Sequence, residues 1–352
     1  MANIYPKAGD VPPWEDVSSF GRTITTLTRA YGNHPLAFFG LAPEHEHFLA
    51  PDGKGLVNYQ RINHTAVVLG DPLCSPEAIE QVTHSFLKFC ASCRWSVAFY
   101  QASSHFLDNT RVLNLRSLKM GEEAILLPQR FTLQGAALAN VRTSCRRAER
   151  EGITIQWYEG VLSGAVLQQL ASVSHSWLKH KGGELAEETG FSVGRLSDIM
   201  TSARRADWVA SSSPLSPGSP LIPSLVTGVA MTSAGNACAF LTFTPLYGRT
   251  PGNTDTQQGW GWALDLMRRD PDAPPGVMEL LLVQALERFR LAGACTVSLG
   301  LAALADSKQE ITPARRLIAD FLVNRIGLFE NRQTLFAFKQ KFQPVWQSRY
   351  LV

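Results

Sequence analysis

The apolar positions of this chain fall into short alternating or continuous runs, separated by longer stretches with helical spacing. GRTITTLTRAYG gathers its apolar residues on one helical face, LVNYQRI and TAVVLG read as strands, residues 76 to 94 as a helix and SVAFYQ as a further strand. After RVLNLRSL and EAILLP a helix is expected over roughly 134 to 151, then the strand TIQWYE. AVLQQLASVSHSWLKHKG is a connecting helix, and the order then repeats: TGVAMTS, ACAFLTFTP and GWALDLM as strands, a helix over 276 to 292, and the strand TVSLGL. A strand meander followed by helix and strand, occurring twice, predicts an α/β protein of mixed sheets with helices packed on them. The halves share negligible sequence identity, so the repeat is architectural. The expected division is 1–160, a connecting helix within 161–190, and 191–352. SSSPLSPGSPLIPS (211 to 224) and YGRTPGNTDTQQG (247 to 259) are rich in Ser, Pro and Gly and read as surface loops or partly disordered segments.

With 352 residues, 45% of them hydrophobic and 18% charged, the chain is long enough for two cores. No window approaches the ~18 uninterrupted apolar residues of a membrane span. The start, MANIYPKAGDVPPWEDV, has acids and prolines where a signal peptide needs a basic end and an apolar run, so a cytosolic location is expected. The 6 cysteines show no framework spacing and read as reduced thiols. Cys90 and Cys93 form a C-x-x-C with His84 upstream, but in a helix-like stretch without a second ligand pair, which reads as core packing. His45 and His47 read as a surface loop, and no metal site is expected.

Charge is distributed unevenly. Residues 313 to 352 hold Arg315, Arg316, Arg325, Arg332, Lys339, Lys341 and Arg349 against Asp320 and Glu330, a local excess of +5 in a chain of net +3. The last stretch, TLFAFKQKFQPVWQSRYLV, combines Phe336, Phe338, Phe342, Trp346 and Tyr350 with three of those cations and no acid. That much aromatic surface must pack, which would fix Lys339, Lys341 and Arg349 facing something anionic. A localised field suits a phosphate-bearing ligand; a solvated basic face is the alternative.

Three further constellations could carry chemistry. In GWALDLMRRD strict alternation puts Trp260, Trp262, Leu264 and Leu266 on one face and Asp265 and Met267 on the other. Asp265 is then either at a solvated sheet surface or in a cleft where burial and a cation set its pKa, with Arg268 the nearest partner. A structural Asp/Arg pair is an equal alternative. The helix LANVRTSCRRAEREG sets Arg142, Arg146 and Arg150 along an i, i+4 ridge with Arg147 beside it, while Leu138, Val141, Cys145 and Ala148 form the buried stripe and Gly152 a cap. Such a ridge suits a sugar-phosphate backbone, or is a solvated face partly neutralised by Glu149 and Glu151. Of Glu122 and Glu123 in KMGEEAILL one side chain should face inward, where it could receive the ammonium of an amino acid or cap a turn. Nucleotide-binding, metalloprotease and serine-hydrolase motifs are missing, and APPGVME has one glycine where an acyl-coenzyme A acyltransferase needs a Gly-rich turn.

VVLGDP, KMGEEA, the Arg-bearing helix ending REG, ETGFSVGR, LDLMRRDPDAPPGVME, SLGLAALA and FKQKFQPVWQSRYL follow one another in an order that resembles the soluble C-terminal domain of the phosphatidylglycerol lysyl- and alanyltransferases, the multiple peptide resistance factors. The resemblance covers about residue 20 to the end. It implies two tandem GNAT-like acyltransferase folds sharing a central tunnel that substrates enter from opposite sides. It also implies transfer of an amino acid, lysine or alanine, from aminoacyl-tRNA to the glycerol hydroxyl of phosphatidylglycerol, with no cofactor. By motif, Asp265 and Arg268, Lys339 or Lys341, and Glu122 match functional positions. Asp265 would act as the base or orient the nucleophile, Lys339 or Lys341 would stabilise the oxyanion or a phosphate, Arg268 would pair with phosphate or hold Asp265 ionised, and the Arg142 ridge would grip the tRNA. Family members carry membrane spans ahead of this domain and tend to have proline at the position of Ala303. Without such spans the lipid would be reached by peripheral docking at the inner face of the membrane. Transfer to another lipid, a sterol, a peptide or a small molecule, and a non-catalytic tRNA- or lipid-binding role, are the competing readings.

Overall fold

The computed structural model describes residues 19–182, 194–211, 222–248, 260–303 and 332–352. Helices α1 (Ser19–Tyr31) and α2 (Pro35–Phe39) precede β1 (Glu46–Leu49), β2 (Gly55–Ile62), β3 (Thr65–Leu69), β4 (Leu73–Cys74), α3 (Ile79–Ser92) and β5 (Ser96–Tyr100). Then come β6 (Ala102–Ser103), α4 (Ser104–Asn109), β7 (Leu118–Leu126), α5 (Ala139–Arg150), β8 (Thr154–Glu159) and α6 (Gly164–Gly182). The remainder holds α7 (Ile199–Ser211), β9 (Val226–Met231), β10 (Ala237–Leu246), β11 (Gly261–Arg269), α8 (Val277–Leu291), β12 (Thr296–Ala303), α9 (Arg332–Gln340) and β13 (Val345–Leu351).

The repeated order expected from the sequence is present. β2 pairs antiparallel with β3, and α3 carries the chain over to β5, parallel to β3. In the second half β10 pairs antiparallel with β11, and α8 carries the chain over to β12, parallel to β11. A parallel neighbour cannot be reached by a tight turn, so each helix is the crossover its strand pair requires. The first unit forms a 5-stranded sheet, β1-β2-β3-β5 with β4 on β2; the second lies in an 8-stranded sheet of order β6-β13-β7-β12-β11-β10-β9-β8. Strands from before residue 160 thus extend the second sheet at both ends. β13 lies between β6 and β7, and Val352 exchanges backbone hydrogen bonds of 2.8 and 3.1 Å with Phe99 of β5, so the C-terminal segment ties the two sheets together. Its aromatics pack as expected: Phe342 is buried and Phe336 stacks on Trp346 at 4.8 Å.

The large sheet buries both faces. On one, α5 and α8 press Cys145, Leu281 and Phe289 onto Leu241, Phe243 and Trp262, with Trp262 stacked on Phe289 at 4.2 Å. Gly276 allows this approach: at φ +92° it adopts a backbone that L side chains avoid, and a Cβ there would collide with the Ser144 carbonyl of α5. On the other face, α6 and α7 bury Leu170, Val173 and Ala203 against Val229, Phe240 and Leu266.

One expectation from sequence is overturned here. His45 and His47 do not lie on a surface loop; at 4% and 6% exposure they are buried beside and within β1. Burial pushes them down to about 3 and about 4, so both are neutral, and His47 Nδ1 shares a 2.8 Å hydrogen bond with Asn58 Oδ1. Tyr247 is buried as well, at the mouth of a segment read as a surface loop; most of 211 to 224 and 247 to 259 lies outside the described residues. Cys90 packs in the core as expected, and among the described residues no group of His, Cys, Asp and Glu is arranged to hold a metal ion.

Candidate active site

Strict alternation fails in β11, and the failure builds the site. Phe243 pairs with Leu264 and Leu241 with Met267, so Asp265 and Leu266 together stand opposite the single residue Thr242. This is a β-bulge, which turns one strand's alternation by a residue. Thr242 holds it in place: its Oγ1 accepts the Leu266 N–H at 2.9 Å and donates to Asp265 Oδ2 at 3.4 Å. Leu264 and Met267 consequently pack with the tryptophans on the α5–α8 face, whereas Leu266 turns to the α6–α7 face. The sequence reading placed Leu266 with the tryptophans and Met267 opposite them; the bulge reverses both. It also puts Asp265 and Arg268 on one face, which residues three apart in a regular strand do not share.

The same region lies at a fork in the sheet. β11 and β12 pair at Gly261–Thr296, Trp262–Val297 and Ala263–Ser298 and then part, β12 continuing along β7 and β11 along β10. Asp265 stands just beyond the fork. Its Oδ1 accepts the Gly194 N–H at 2.6 Å, and a Cβ at position 194 would run into the carboxylate, so this approach needs glycine. Burial pushes the Asp265 carboxyl up to about 6, against the opposing effects of the Gly194 and Thr242 hydrogen bonds and the charges of Arg268 and Arg205. Arg268 is buried, donates through Nη1 to Ser174 Oγ of α6, and lies over Trp177 at 5.3 Å. It acts on Asp265 through space.

A second polar cluster occupies the other arm of the fork. Glu123, 1% exposed, receives Nε of Arg349 on Oε2 at 2.6 Å and the Ser298 hydroxyl on Oε1. Lys339, reaching in from α9, donates to the carbonyls of Gly300 and Leu301, each at 3.0 Å. Burial brings its ammonium down to about 7 despite the Glu123 charge. Close by, Asp71 accepts the backbone N–H and hydroxyl of Ser103 at 2.9 and 2.5 Å.

The structure therefore separates residues that the sequence grouped. Asp265 and Arg268 share one arm; Lys339 belongs to the other. Lys341 is turned away, half-exposed and paired with Glu279 at 2.8 Å. The anion expected opposite Arg349 is the protein's own Glu123. Glu122 is the outward member of its pair, bonded to Lys119 at 2.8 Å, because the β7 register turns Glu123 into the cluster. On α5, Val141, Cys145 and Ala148 are buried and Arg146, Arg147 and Arg150 exposed, as the helical spacing predicts. Arg142 leaves the ridge: its Nη1 holds the carbonyls of Leu133 and Gly135, the latter at 2.6 Å. Thr242, Ser174, Trp177, Ser298 and Arg205 were not identified from sequence. Gly194 stood within ETGFSVGR, the rest of which, apart from Arg195, lies outside the described residues.

The family described as Phosphatidylglycerol lysyltransferase, C-terminal, matches residues 25–352. The lysylphosphatidylglycerol biosynthesis bifunctional protein LysX of Mycobacterium ulcerans (strain Agy99) is 28% identical over 336 residues, 93% of this chain and 27% of the relative. The phosphatidylglycerol lysyltransferase of Bacillus subtilis (strain 168) is 26% identical over 321 residues, 91% of this chain and 33% of the relative. The chain thus spans 27% to 33% of the length of these two curated relatives. A solved structure of L-PGS from Bacillus licheniformis matches with a TM-score of 0.73 and 26% identity, covering 94% of this chain and 90% of that one. FemX, at 8% identity and a TM-score of 0.54, covering 93% and 94% of the two chains, shares the fold. From residue 25 to its end, this chain belongs to the phosphatidylglycerol lysyltransferase C-terminal family.

Proposed function

We propose that this chain transfers an amino acid from aminoacyl-tRNA to the glycerol hydroxyl of phosphatidylglycerol, with lysine the first candidate from the names of its relatives and alanine the second. The observation that carries the reading is the partly buried Asp265 carboxyl, raised to about 6 beside a buried Arg268 and held by Gly194 and Thr242 just beyond the fork. Such a carboxyl is mostly ionised at neutral pH yet far more basic than an ordinary aspartate, as a general base requires. The glycerol oxygen attacks the carbonyl carbon of the aminoacyl ester while Asp265 takes the hydroxyl proton. Arg268 stabilises the oxyanion. The carbon–oxygen bond to the terminal ribose then breaks, and the proton passes from Asp265 to the ribose oxygen. One ester bond forms and one breaks, so no cofactor is consumed.

Exposed Arg146, Arg147 and Arg150 on α5 lie on the sheet face opposite Asp265 and suit the backbone of the tRNA. Among the described residues no helix is long and apolar enough to cross a membrane, and the lipid is proposed to be met at a membrane surface. The test is transfer of radiolabelled lysine or alanine from tRNA into organic-extractable lipid by the wild type and Asp265→Asn. Label in a phosphatidylglycerol derivative, lost in the variant, is expected. Label that stays out of the lipid would point to another acceptor, and an Asp265→Asn enzyme of full rate would remove the base.

A further inference from the structure

Arg205, in α7, has no role in the chemistry above, and its surroundings do not account for it. It is 3% exposed, and a guanidinium keeps its charge when buried. Its face lies over Phe38 at 5.0 Å, and Nη2 donates to Ser202 Oγ at 2.7 Å. Nε and Nη1 are buried and, among the described residues, without a partner. The acids whose charge it feels, Glu44, Asp198 and Asp265, act through space. Two more orphaned donors lie at the same junction of α1, α7 and the end of β10: the Tyr247 hydroxyl, which feels the charges of Arg205 and Arg29, and Nη1 of Arg29 itself. The Tyr247 N–H is anchored to the Gly32 carbonyl at 2.8 Å, which fixes this strand end against the end of α1. A buried cation with unsatisfied N–H groups costs stability unless a partner completes it.

Two of the unsatisfied groups here are cationic and the Tyr247 hydroxyl can donate beside them, and an anion with several acceptor oxygens would meet all three. An aminoacyl ester has no free carboxylate. The anions that the two proposed substrates bring are therefore phosphodiesters. A tRNA phosphate is the poorer fit, because the junction is walled by Ile24, Leu27, Phe38 and Val209. A phosphodiester that adjoins acyl chains suits an apolar wall. We infer that Arg205, with Tyr247 and Arg29, seats the phosphodiester of the glycerophospholipid acceptor and so presents its glycerol hydroxyl to Asp265. The assignment rests on the lipid-transfer reading and adds the residues that select the acceptor.

The experiment compares wild type, Arg205→Gln, Arg205→Lys and Tyr247→Phe, with phosphatidylglycerol in neutral detergent micelles as acceptor and lysyl-tRNA as donor. Arg205→Gln should raise the acceptor KM about 10- to 100-fold, the loss of one charged phosphate contact, with the donor KM unchanged and the Tm not lowered. Arg205→Lys should fall between, and Tyr247→Phe should raise the acceptor KM about 3- to 10-fold. An unchanged acceptor KM in both Arg205→Gln and Tyr247→Phe overturns the inference, as does a rise in the donor KM instead, which would make the anion an RNA phosphate. A second arm measures Tm with the water-soluble headgroup glycerophosphoglycerol and with inorganic phosphate. Headgroup stabilisation exceeding that by phosphate, and lost in Arg205→Gln, supports the seat; equal stabilisation by phosphate removes the lipid assignment. If wild type transfers nothing to lipid, the proposed reaction fails, whereas the headgroup arm still reads the Arg205 seat by itself.

Discussion

Replacing Asp265 with asparagine should slow transfer sharply and stabilise the fold, and the two effects should have different pH dependences. The carboxyl's rise from its ordinary 3.8 to about 6 corresponds to about 3 kcal/mol of preference for the protonated form, at roughly 1.4 kcal/mol per pH unit. The folded chain binds this proton more tightly than the unfolded chain does. The ionised carboxylate therefore destabilises the fold in full above pH 6, and the penalty fades as the pH falls toward 4. Asp265→Asn should accordingly raise the stability at pH 7 by up to about 3 kcal/mol, an upper figure because the residue keeps some contact with solvent, and by little at pH 4. Transfer should fall about 100- to 10,000-fold. In the wild type, kcat/KM should rise with pH and level off above an inflection near 6, since the base must be ionised. Arg268→Gln removes a cation that favours the carboxylate, so the inflection should move to higher pH. Single-turnover transfer from pH 5 to 8, corrected for the enzyme-free hydrolysis of the aminoacyl ester, gives the first profile, and urea melts of both proteins give the second. A rate independent of pH over that range, or an asparagine variant that is less stable at pH 7 than wild type, would refute the reasoning.

Glu123→Gln leaves buried Arg349 without its counter-charge and should destabilise the fold by about 3 to 5 kcal/mol, measured by urea melts. Lys341→Ala should change transfer little, because Lys341 is half-exposed on Glu279, whereas Lys339→Ala should weaken it strongly by freeing the carbonyls of Gly300 and Leu301 at the fork. Lys339 titrates near 7 in the fold against 10.5 ordinarily, so its charge destabilises most below pH 7, and the Tm of Lys339→Met relative to wild type should decline as the pH rises toward 10. Arg146→Ala and Arg150→Ala should each reduce the salt dependence of donor binding by about 0.7 to 0.9 in log–log slope per lost phosphate contact. Arg142→Ala should leave that slope intact and lower the Tm, since its guanidinium holds the carbonyls of Leu133 and Gly135.

Local periodicity was enough to place the repeated units, because each meander, crossover helix and parallel strand carries its own pattern of apolar residues. Side-chain direction at the fork was not accessible in the same way. The bulge depends on a Thr242 hydroxyl capturing the Leu266 N–H, a contact between strands that no spacing within β11 encodes. The choice between Glu122 and Glu123 depends on the register of β7 against β13, and Glu123 and Arg349 meet across 226 positions of sequence. Aromatic content correctly required the C-terminal segment to pack, yet the count of its cations could not distinguish an internal counter-charge from a ligand.

What the fork gathers explains why such a site is costly to fold. Asp265 is harder to ionise than in water, Lys339 is harder to protonate, and Arg205 is charged with two donor atoms unmet. Each of these destabilises the bare chain near neutral pH, and each lies near the junction where β11 and β12 part or on the helix facing it. By contrast the Glu123–Arg349 pair and the Arg142 clamp are satisfied internally and serve the framework. Charges penalised by burial and charges paired within the framework are thus separable by their effect on stability: neutralising the first kind should strengthen the fold while weakening transfer, and neutralising the second should weaken the fold. That division, read from burial and surroundings rather than from residue type, distinguishes Lys339 from Lys341 and Arg205 from Arg142, pairs that charge and spacing alone leave equivalent.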